Sequence, residues 1–354
     1  MTDALLTGGA GFIGCRLAAR LLADGARVRV VDNLHPQVHP GGTRPADLPA
    51  EVELVVADVT DAATWDAALD GFTPDVVVHL AAETGTGQSF DQSSRHGLVN
   101  VVGTTRLLDA LLARDAAPGH LVLPSSRAVY GEGAWVGEDG TVTYAGVRTK
   151  ADFEAARWDP VAADGGALRP VPASATHTEP RPTSVYGATK LAQEHICAAW
   201  VSGTGTALST FRLQNVYGAG QSLSNPYTGI VSLFCRLGLA GQPIDLYEDG
   251  RVVRDFVHVD DVVRALAAAI AAPPAAPRTL DVGSGAAVTI QQLADEIARL
   301  TGSPPAQVSG RWRIGDVRAA SCDPAPLQEA LGIRAKTSLE DGLQDLLGWI
   351  AATG

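Results

Sequence analysis

Residues 7–14 of the chain, TGGAGFIG, lie between a short apolar run and a segment whose apolar residues have helical spacing. The glycines fit both G-x-G-x-x-G and the wider G-x-x-G-x-x-G: Gly8, Gly9, Gly11 and Gly14. Glycine is needed where a strand turns sharply into a helix and where backbone approaches a pyrophosphate at the helix N-terminus. The stretch therefore predicts a dinucleotide-binding turn, although a turn that only packs helix on strand has the same pattern.

Short apolar runs alternate with helical segments beyond this turn. Strands are predicted at 4–7, 28–32, 52–57, 75–82, 120–126 and 207–214. Helices are predicted at 12–24, 62–70, 98–114, 184–202 and 229–240, with two short amphipathic helices from Thr289 on. Residues 134–182 break the pattern with Gly, Pro and polar residues, which indicates a long insertion. We expect an α/β protein with a doubly wound parallel Rossmann sheet.

Composition excludes several classes of function. A net charge of −12 argues against a general nucleic-acid binder. No apolar run reaches the ~18 residues that a membrane span needs. The N-terminus resembles no signal peptide, so we expect a cytoplasmic protein. Its four cysteines form no CxxC pair, and we expect them to be reduced and buried and no metal to be bound.

The second predicted strand ends at Asp32, about 20 residues beyond the glycine turn. A carboxylate there can accept hydrogen bonds from the adenosine ribose and would repel a 2′-phosphate, so NAD is favoured over NADP. Asp58 could meet the adenine edge, and Ala81 and Ala82 could leave room for the dinucleotide, but each could equally be an ordinary strand end. The predicted cofactor contacts are Gly8, Gly11, Phe12, Ile13, Gly14, Asp32, Asn33, Asp58, Val59, Leu80, Ala81, Ala82, Asn100, Tyr186 and Lys190.

The segment SVYGATK, residues 184–190, places Tyr186 and Lys190 four residues apart on one helix face. A phenol has an ordinary pKa of about 10, too high for a base at neutral pH. A neighbouring ammonium together with a positive nicotinamide would lower that pKa and favour the phenolate. The spacing alone is common on exposed helices, so its meaning depends on the dinucleotide turn and on the pair Ser125–Ser126 in SSRAVYG.

These motifs together amount to a resemblance. TGGAGFIG, HLAA, SSRAVYG, YGATK, RLQNVYG and RDFVHVDD stand in the order found in extended short-chain dehydrogenase/reductases, within the NAD-dependent nucleotide-sugar epimerase/dehydratase group. DNLHPQVH, SSRAVYGEG, the insertion with RWDPV, and NVYGAGQSLSNPYTG resemble the dTDP-L-rhamnose 4-epimerases among them. The resemblance covers residues 1 to about 262 and continues more thinly through RIGD, residues 313–316.

The resemblance implies a domain plan. Residues 1–215 would form the NAD-binding Rossmann domain, with the insertion at about 134–182. Residues 216–354 would form a smaller C-terminal α/β domain that binds substrate, with about 251–285 returning to the Rossmann domain. A homodimer through 98–114 and 184–202 is also implied.

The resemblance assigns chemistry to individual residues. Tyr186 would take a proton from a sugar hydroxyl, Ser126 would hydrogen-bond the same oxygen, and Lys190 would hold the nicotinamide ribose. The predicted substrate contacts are Ser126, Arg127, Asn215, Gln221, Asn225, Arg254 and Arg313. For Arg254, a salt bridge to Asp255, Asp260 or Asp261 is the plainer alternative.

One difference separates the chain from the dehydratases that it resembles. Those enzymes carry an Asp-Glu pair directly after the Ser or Thr of this motif, whereas this chain has Arg127 and Ala128. We therefore expect a nucleotide-sugar 4-epimerase that uses NAD and acts on a dTDP-6-deoxyhexose such as dTDP-L-rhamnose. The alternatives are a nucleotide-sugar 4-ketoreductase that consumes NAD(P)H and a non-catalytic NAD-sensing protein.

Overall fold

The computed structural model of the chain describes residues 1–223 and 229–353. Its strands, in chain order, are Asp3–Thr7 (β1), Arg27–Asp32 (β2), Glu53–Val56 (β3), Val76–His79 (β4), His120–Ser126 (β5), Ala134–Val136 (β6), Val142–Tyr144 (β7), Arg169–Pro170 (β8), Ala207–Leu213 (β9), Asn215–Tyr217 (β10), Asp245–Leu246 (β11), Val253–Arg254 (β12), Phe256–His258 (β13), Arg278–Val282 (β14), Val288–Thr289 (β15) and Gln307–Val308 (β16). Its α-helices are Phe12–Ala23 (α1), Thr64–Leu69 (α2), Gln88–Asp91 (α3), Ser93–His96 (α4), Gly103–Ala113 (α5), Lys150–Glu154 (α6), Val185–Thr204 (α7), Ile230–Leu239 (α8), Val259–Ala271 (α9), Ile290–Thr301 (α10), Ala325–Leu331 (α11) and Leu339–Thr353 (α12).

The central sheet has seven strands in the order β14-β9-β5-β4-β1-β2-β3, and every neighbouring pair is parallel. The order confirms the doubly wound Rossmann sheet. The order in which the chain adds strands reverses at β1. Strands β2 and β3 lie on one side of it, whereas β4 and the later strands lie on the other, so the switch falls between β1 and β4. In such a sheet a crevice opens beyond the carboxyl ends of the strands at this point.

Apolar residues on both faces of each strand explain why the sheet is buried on both sides. In β1, Leu6 belongs to the core with α1 and α9, whereas its neighbour Leu5 belongs to the core with α2, α5 and α7. Successive side chains of a strand point to opposite faces, so a continuous apolar run supplies both cores. This fixes α1 on one side of the sheet and α7 on the other.

Two expectations about regular structure need correction. Within the insertion the sequence predicts only a helix over 150–156, which α6 confirms, but β7, β6 and β8 also form a small antiparallel sheet. The predicted helix over 98–114 begins as a π-helical segment, Gly97–Val102, and becomes α-helical only at Gly103. Short, partly polar strands carry too little periodic signal to be read from one sequence.

The C-terminal third contains the remaining core. Helices α8, α10 and α12 pack together over a buried cluster that includes Phe234, Leu293 and Leu346. Three helices, not two, follow Thr289, so that prediction was wrong. Within 251–285, α9 packs on the central sheet and β14 pairs with β9, whereas the domain boundaries themselves stay a prediction.

The four cysteines are buried and unpaired. In the two described ranges, no helix combines the length and apolar composition that crossing a membrane requires.

Candidate active site

The glycine turn between β1 and α1 forms one wall of the crevice. Gly8 has a left-handed φ of +65°, and a Cβ there would lie 2.6 Å from the backbone nitrogen of Ala81. A Cβ on Gly14 would lie 2.5 Å from the Cα of Gly9. The turn therefore packs backbone against backbone, and the N-terminus of α1, which no side chain caps, faces the crevice. Such an N-terminus attracts phosphate.

An open cleft of about 1360 Å³ lies at this point. Most predicted cofactor contacts line it: Gly8, Gly11, Phe12, Ile13, Gly14, Asp32, Asn33, Asp58, Val59, Leu80, Ala81 and Ala82. A crevice with this lining and a glycine turn at one end fits a dinucleotide. Sequence reasoning missed several residues farther along the wall, among them His35, Glu83 and Arg95, because nothing in their spacing marks them.

The two carboxylates near the predicted adenosine end are held by backbone and side-chain donors. Asp32 accepts hydrogen bonds from the backbone nitrogens of Ala10 (3.1 Å) and Leu34 (2.9 Å). Asp58 accepts one from Asn33 Nδ2 (2.9 Å) and two from Thr60. Burial acts to raise the pKa of Asp58, but these hydrogen bonds outweigh it and hold the pKa below its ordinary value. Asp58 is thus anionic at neutral pH.

Asn100 does not line the cleft. It is fully buried in the π-helical segment, where it accepts a hydrogen bond from the backbone nitrogen of Glu83 (2.7 Å). Its amide donates to the Glu83 carbonyl (3.0 Å) and to Thr189 Oγ1 (2.9 Å). In the structure Asn100 therefore ties the loop after β4 to α7; its contact with a cofactor stays a prediction.

The structure brings Ser126, Tyr186 and Lys190 together at the end of β5. Lys190 Nζ donates a hydrogen bond to the carbonyl of Pro124 (2.8 Å), which fixes α7 against this strand. Ser126 ends β5, its hydroxyl accepts a hydrogen bond from the backbone nitrogen of Ala128 (3.1 Å), and it lies close enough to Tyr186 to act on the pKa of the phenol. The three groups therefore share one small, largely buried region, as the motifs predicted, and their roles remain to be tested.

Burial and two neighbours act on the pKa of Tyr186. Burial raises that pKa, whereas Ser126 and the charge of Arg127 act to lower it. Burial also lowers the pKa of Lys190 to about 8, with the charge of Glu194 opposing the shift. Arg127 is thus a cation near Tyr186 that the motifs did not predict for this role, and the effect of Lys190 on Tyr186 stays a prediction.

A buried polar chain supports β5 from behind. Ser125 donates to Glu194, and Glu194 pairs with Arg212 through Nη2 (2.7 Å). The Arg212 guanidinium lies 4.8 Å from the ring centre of Tyr130, whose hydroxyl donates to both oxygens of Asp281 (2.9 Å each). Ser125 is therefore committed to this chain, and Ser126 is the serine that is directed toward Tyr186.

Two predicted substrate arginines lie close together, and Arg127 of the two lies beside Tyr186. Arg127 Nε donates to Asn215 Oδ1 (3.2 Å), and Arg254 Nη1 donates to the carbonyl of Val253 (2.7 Å). Neither arginine forms an ion pair within 1–223 and 229–353. Burial lowers the pKa of each, and the charge of Arg254 lowers that of Arg127 further, whereas Asp316 acts to raise both. Two close guanidinium groups that form no ion pair fit an anionic ligand.

The alternative of a salt bridge for Arg254 is not realised. Asp255 accepts from Ser284 (2.7 Å), Asp260 pairs with Arg16 (2.7 Å), and Asp261 pairs with Arg264. All three acids are thus occupied elsewhere.

The remaining predicted substrate residues are dispersed. Gln221 lines the NAD-side cleft and accepts from Ser232 Oγ (2.8 Å). Arg313 is exposed, with its guanidinium 5.0 Å from the ring centre of Tyr247. Asn225 lies outside the described residues.

Comparison with known proteins decides the family. Residues 4–157 and 161–283 match the NAD dependent epimerase/dehydratase family. The chain belongs to this family. NAD is accordingly its cofactor, and the glycine turn, the uncapped helix N-terminus and Asp32 fit that molecule.

Individual relatives of this family member are epimerases. A dTDP-L-rhamnose 4-epimerase from Burkholderia thailandensis is 55% identical over 98% of this chain and 94% of that protein. A UDP-glucose 4-epimerase from Mycolicibacterium smegmatis is 32% identical over 96% and 95%. Among solved structures, a UDP-glucose 4-epimerase from Thermus thermophilus in complex with NAD has a TM-score of 0.80 at 27% identity, covering 100% of both chains.

We predict that Gly14→Ala reduces the NAD content of the purified protein by about tenfold or more. The added Cβ would lie 2.5 Å from Gly9 and push α1 away from the glycine turn. NAD is measured by absorbance after release with acid. Gly87→Ala is the matched control because a Cβ there meets nothing within 4 Å. Unchanged NAD in Gly14→Ala would contradict the placement of the pyrophosphate at this turn.

Asp281 predicts a pH dependence of stability. Burial raises its pKa in the folded protein from 3.8 to about 7, although Tyr130 opposes the shift. The folded carboxyl binds its proton more tightly than the unfolded one, so its contribution is full below pH 3.8 and is lost as pH rises through about 7. Relative to Asp281→Asn, the wild type should lose about 2 kcal/mol of unfolding free energy between about pH 5.5 and 8. Urea unfolding measures this, and a pH-independent difference would contradict it.

Proposed function

We propose that the protein is a nucleotide-sugar 4-epimerase, acting on a dTDP-6-deoxyhexose such as dTDP-L-rhamnose. One observation carries the proposal: Tyr186 lies beside Ser126 and the half-buried Arg127, Arg127 lies close to the buried Arg254, and neither arginine forms an ion pair among the described residues. A group that can move a proton therefore adjoins a site for a diphosphate. The likeness to the B. thailandensis enzyme supports the choice of base and sugar.

The cofactor supplies a hydride acceptor and, in its oxidised form, a positive charge near the reacting oxygen. In this proposal Gly8, Gly11 and Gly14 hold the pyrophosphate, and Asp32 accepts from the adenosine ribose. Lys190 binds the nicotinamide ribose with the ammonium hydrogens that Pro124 does not use.

Tyr186 accepts the proton of the sugar's C4 hydroxyl, and Ser126 hydrogen-bonds the same oxygen. The pKa of Tyr186 must fall for this role, since burial holds it above the ordinary value. The charge of Arg127 acts to lower this pKa, and the positive charge of the oxidised cofactor would act in the same direction. Proton removal and hydride departure from C4 leave a 4-keto sugar.

Epimerisation then needs the ketone to present its opposite face. Arg127, Arg254 and Asn215 would hold the diphosphate, about which the sugar can turn. Return of the hydride to the opposite face, with the proton returned by Tyr186, gives the C4 epimer and leaves the cofactor oxidised. Dehydration is disfavoured because Arg127 and Ala128 offer no acid/base pair for removing a C5 proton and a hydroxyl.

The homodimer is part of the same proposal. Leu98 and Val102 are 50% and 38% exposed on the π-helical segment, which packs against α7. An apolar face on these two neighbouring elements supports the expected contact between copies. The cytoplasmic location stays a prediction from the sequence.

We predict that the purified protein inverts C4 of one nucleotide sugar without added cofactor. The test presents dTDP-, UDP- and GDP-sugars, including dTDP-L-rhamnose, and reads the C4 configuration by NMR. Inversion only upon stoichiometric consumption of NADH or NADPH would indicate a ketoreductase instead. No turnover of any sugar would contradict an epimerase.

We also predict that Tyr186→Phe lowers kcat by at least about 100-fold, because it removes the proton acceptor. NAD content should be unchanged, since the ring remains. Tyr144→Phe is the matched control, as its hydroxyl accepts from the Glu179 backbone within the insertion. Near-normal turnover by Tyr186→Phe would show that another group moves the proton.

A further inference from the structure

A buried cluster of four charged side chains joins the insertion to the C-terminal third. Glu132 and Glu248 supply two negative charges, and Arg148 and Arg318 supply two positive charges. Arg148 Nη1 lies 2.8 Å from Glu248, and its Nε lies 3.4 Å from Glu132. Arg318 Nη1 lies 3.0 Å from Glu248, and its backbone nitrogen donates to Glu132 (2.8 Å). Arg318 also pairs with Asp159 (2.6 Å) and Asp249 (2.6 Å) nearer the surface, so it is shared among several acids, and Arg148 is the second cation that the two buried glutamates contact.

Arg254 lies next to the cluster, because the backbone nitrogen of its neighbour Val253 donates to the Arg318 carbonyl (2.9 Å). Burial lowers the pKa of Arg254, whereas Asp316, Glu132 and Glu248 act to raise it and Arg148 acts to lower it. No ion pair joins Arg254 to either acid in the part of the chain that the structure describes. Glu132 and Glu248 are instead held by Arg148 and Arg318, which leaves Arg254 and its neighbour Arg127 without an ion-pair partner.

Arg148 is the member of the cluster that the insertion contributes, and its position is fixed on several sides. Its Nη2 donates to the Asp316 carbonyl (2.6 Å) and its Nη1 to the Trp158 carbonyl (3.2 Å). Its guanidinium also lies 4.7 Å from the ring centre of Phe153, which stacks on Trp312 at 5.0 Å. The guanidinium is thus held in place before any ligand arrives.

We propose that Arg148 is a positioning residue for substrate binding: by neutralising Glu132 and Glu248 it keeps Arg127 and Arg254 available for the substrate's diphosphate. The inference rests on the proposed function, since it takes these two arginines as the diphosphate site. It gives the insertion a role in binding even though Arg148 itself is not placed in contact with substrate.

The physical reason is competition for one cation. Without Arg148 the cluster carries a net negative charge in a buried region, where opposite charges attract strongly. Glu132 or Glu248 would then pair with Arg254, and the negative charge of the cluster would also repel the phosphates of the substrate. The loss should fall on binding, so KM rises while kcat stays near its original value.

The experiment titrates dTDP, and separately UDP, into NAD-loaded protein by isothermal calorimetry. Arg148→Gln should weaken binding roughly tenfold. Arg157→Gln, an exposed arginine of the same insertion paired with Asp152, is the matched control and should bind as the wild type does. The double variant Arg148→Gln/Glu132→Gln gives the cluster the same net charge as in the wild type. It should recover binding to within about threefold of the wild type.

Equal binding by Arg148→Gln and wild type would overturn the inference. So would a double variant that binds as weakly as Arg148→Gln, because a purely structural loss is not repaired by removing a second partner. If Arg148→Gln does not fold, Glu132→Gln alone should bind dTDP at least as tightly as the wild type, and weaker binding would overturn the proposal. Wild type that binds neither nucleotide would instead overturn the diphosphate site of the proposed function.

Discussion

The hydrogen bond from the Lys190 ammonium to the Pro124 carbonyl is the constraint on which the reaction site depends. A buried ammonium must find acceptors, because an unpaired charge in the interior is costly. By satisfying this need at the end of β5, Lys190 fixes the position of α7, and with it the position of Tyr186 opposite Ser126. The polar chain from Ser125 to Asp281 supports the same strand from its other side. The geometry of proton transfer is thus set by groups that do not themselves react.

Charge is distributed unevenly around this site. The cleft beside the glycine turn carries the carboxylates Asp32 and Asp58, held by backbone donors, whereas Arg127 and Arg254 lie outside its lining. In the proposed function the dinucleotide and the nucleotide diphosphate therefore meet opposite charges. The net charge of −12 does not predict this arrangement, because binding of an anionic substrate would depend on the cations close to it.

Much of the site could be predicted because its signals are local in sequence. The glycines of residues 7–14, the spacing of Tyr186 and Lys190, and Ser126 at a strand end each depend on a few neighbouring residues. The doubly wound parallel sheet follows from the alternation of apolar runs and helical segments. Arg148 could not be found in this way, since it lies in an irregular stretch and its partner Glu248 is 100 residues away. The influence of Arg127 on Tyr186 could not be found either, because it depends on where the 3₁₀ turn after β5 places Arg127.

The most direct test of the central claim follows the hydrogen on C4. The substrate identified by the sugar panel is prepared with deuterium at C4 and incubated with the purified protein in ordinary water without added cofactor. We predict that the C4 epimer retains its deuterium, because the hydride leaves and returns within one active site. Loss of the deuterium to solvent, or a requirement for added NADH or NADPH, would contradict the account.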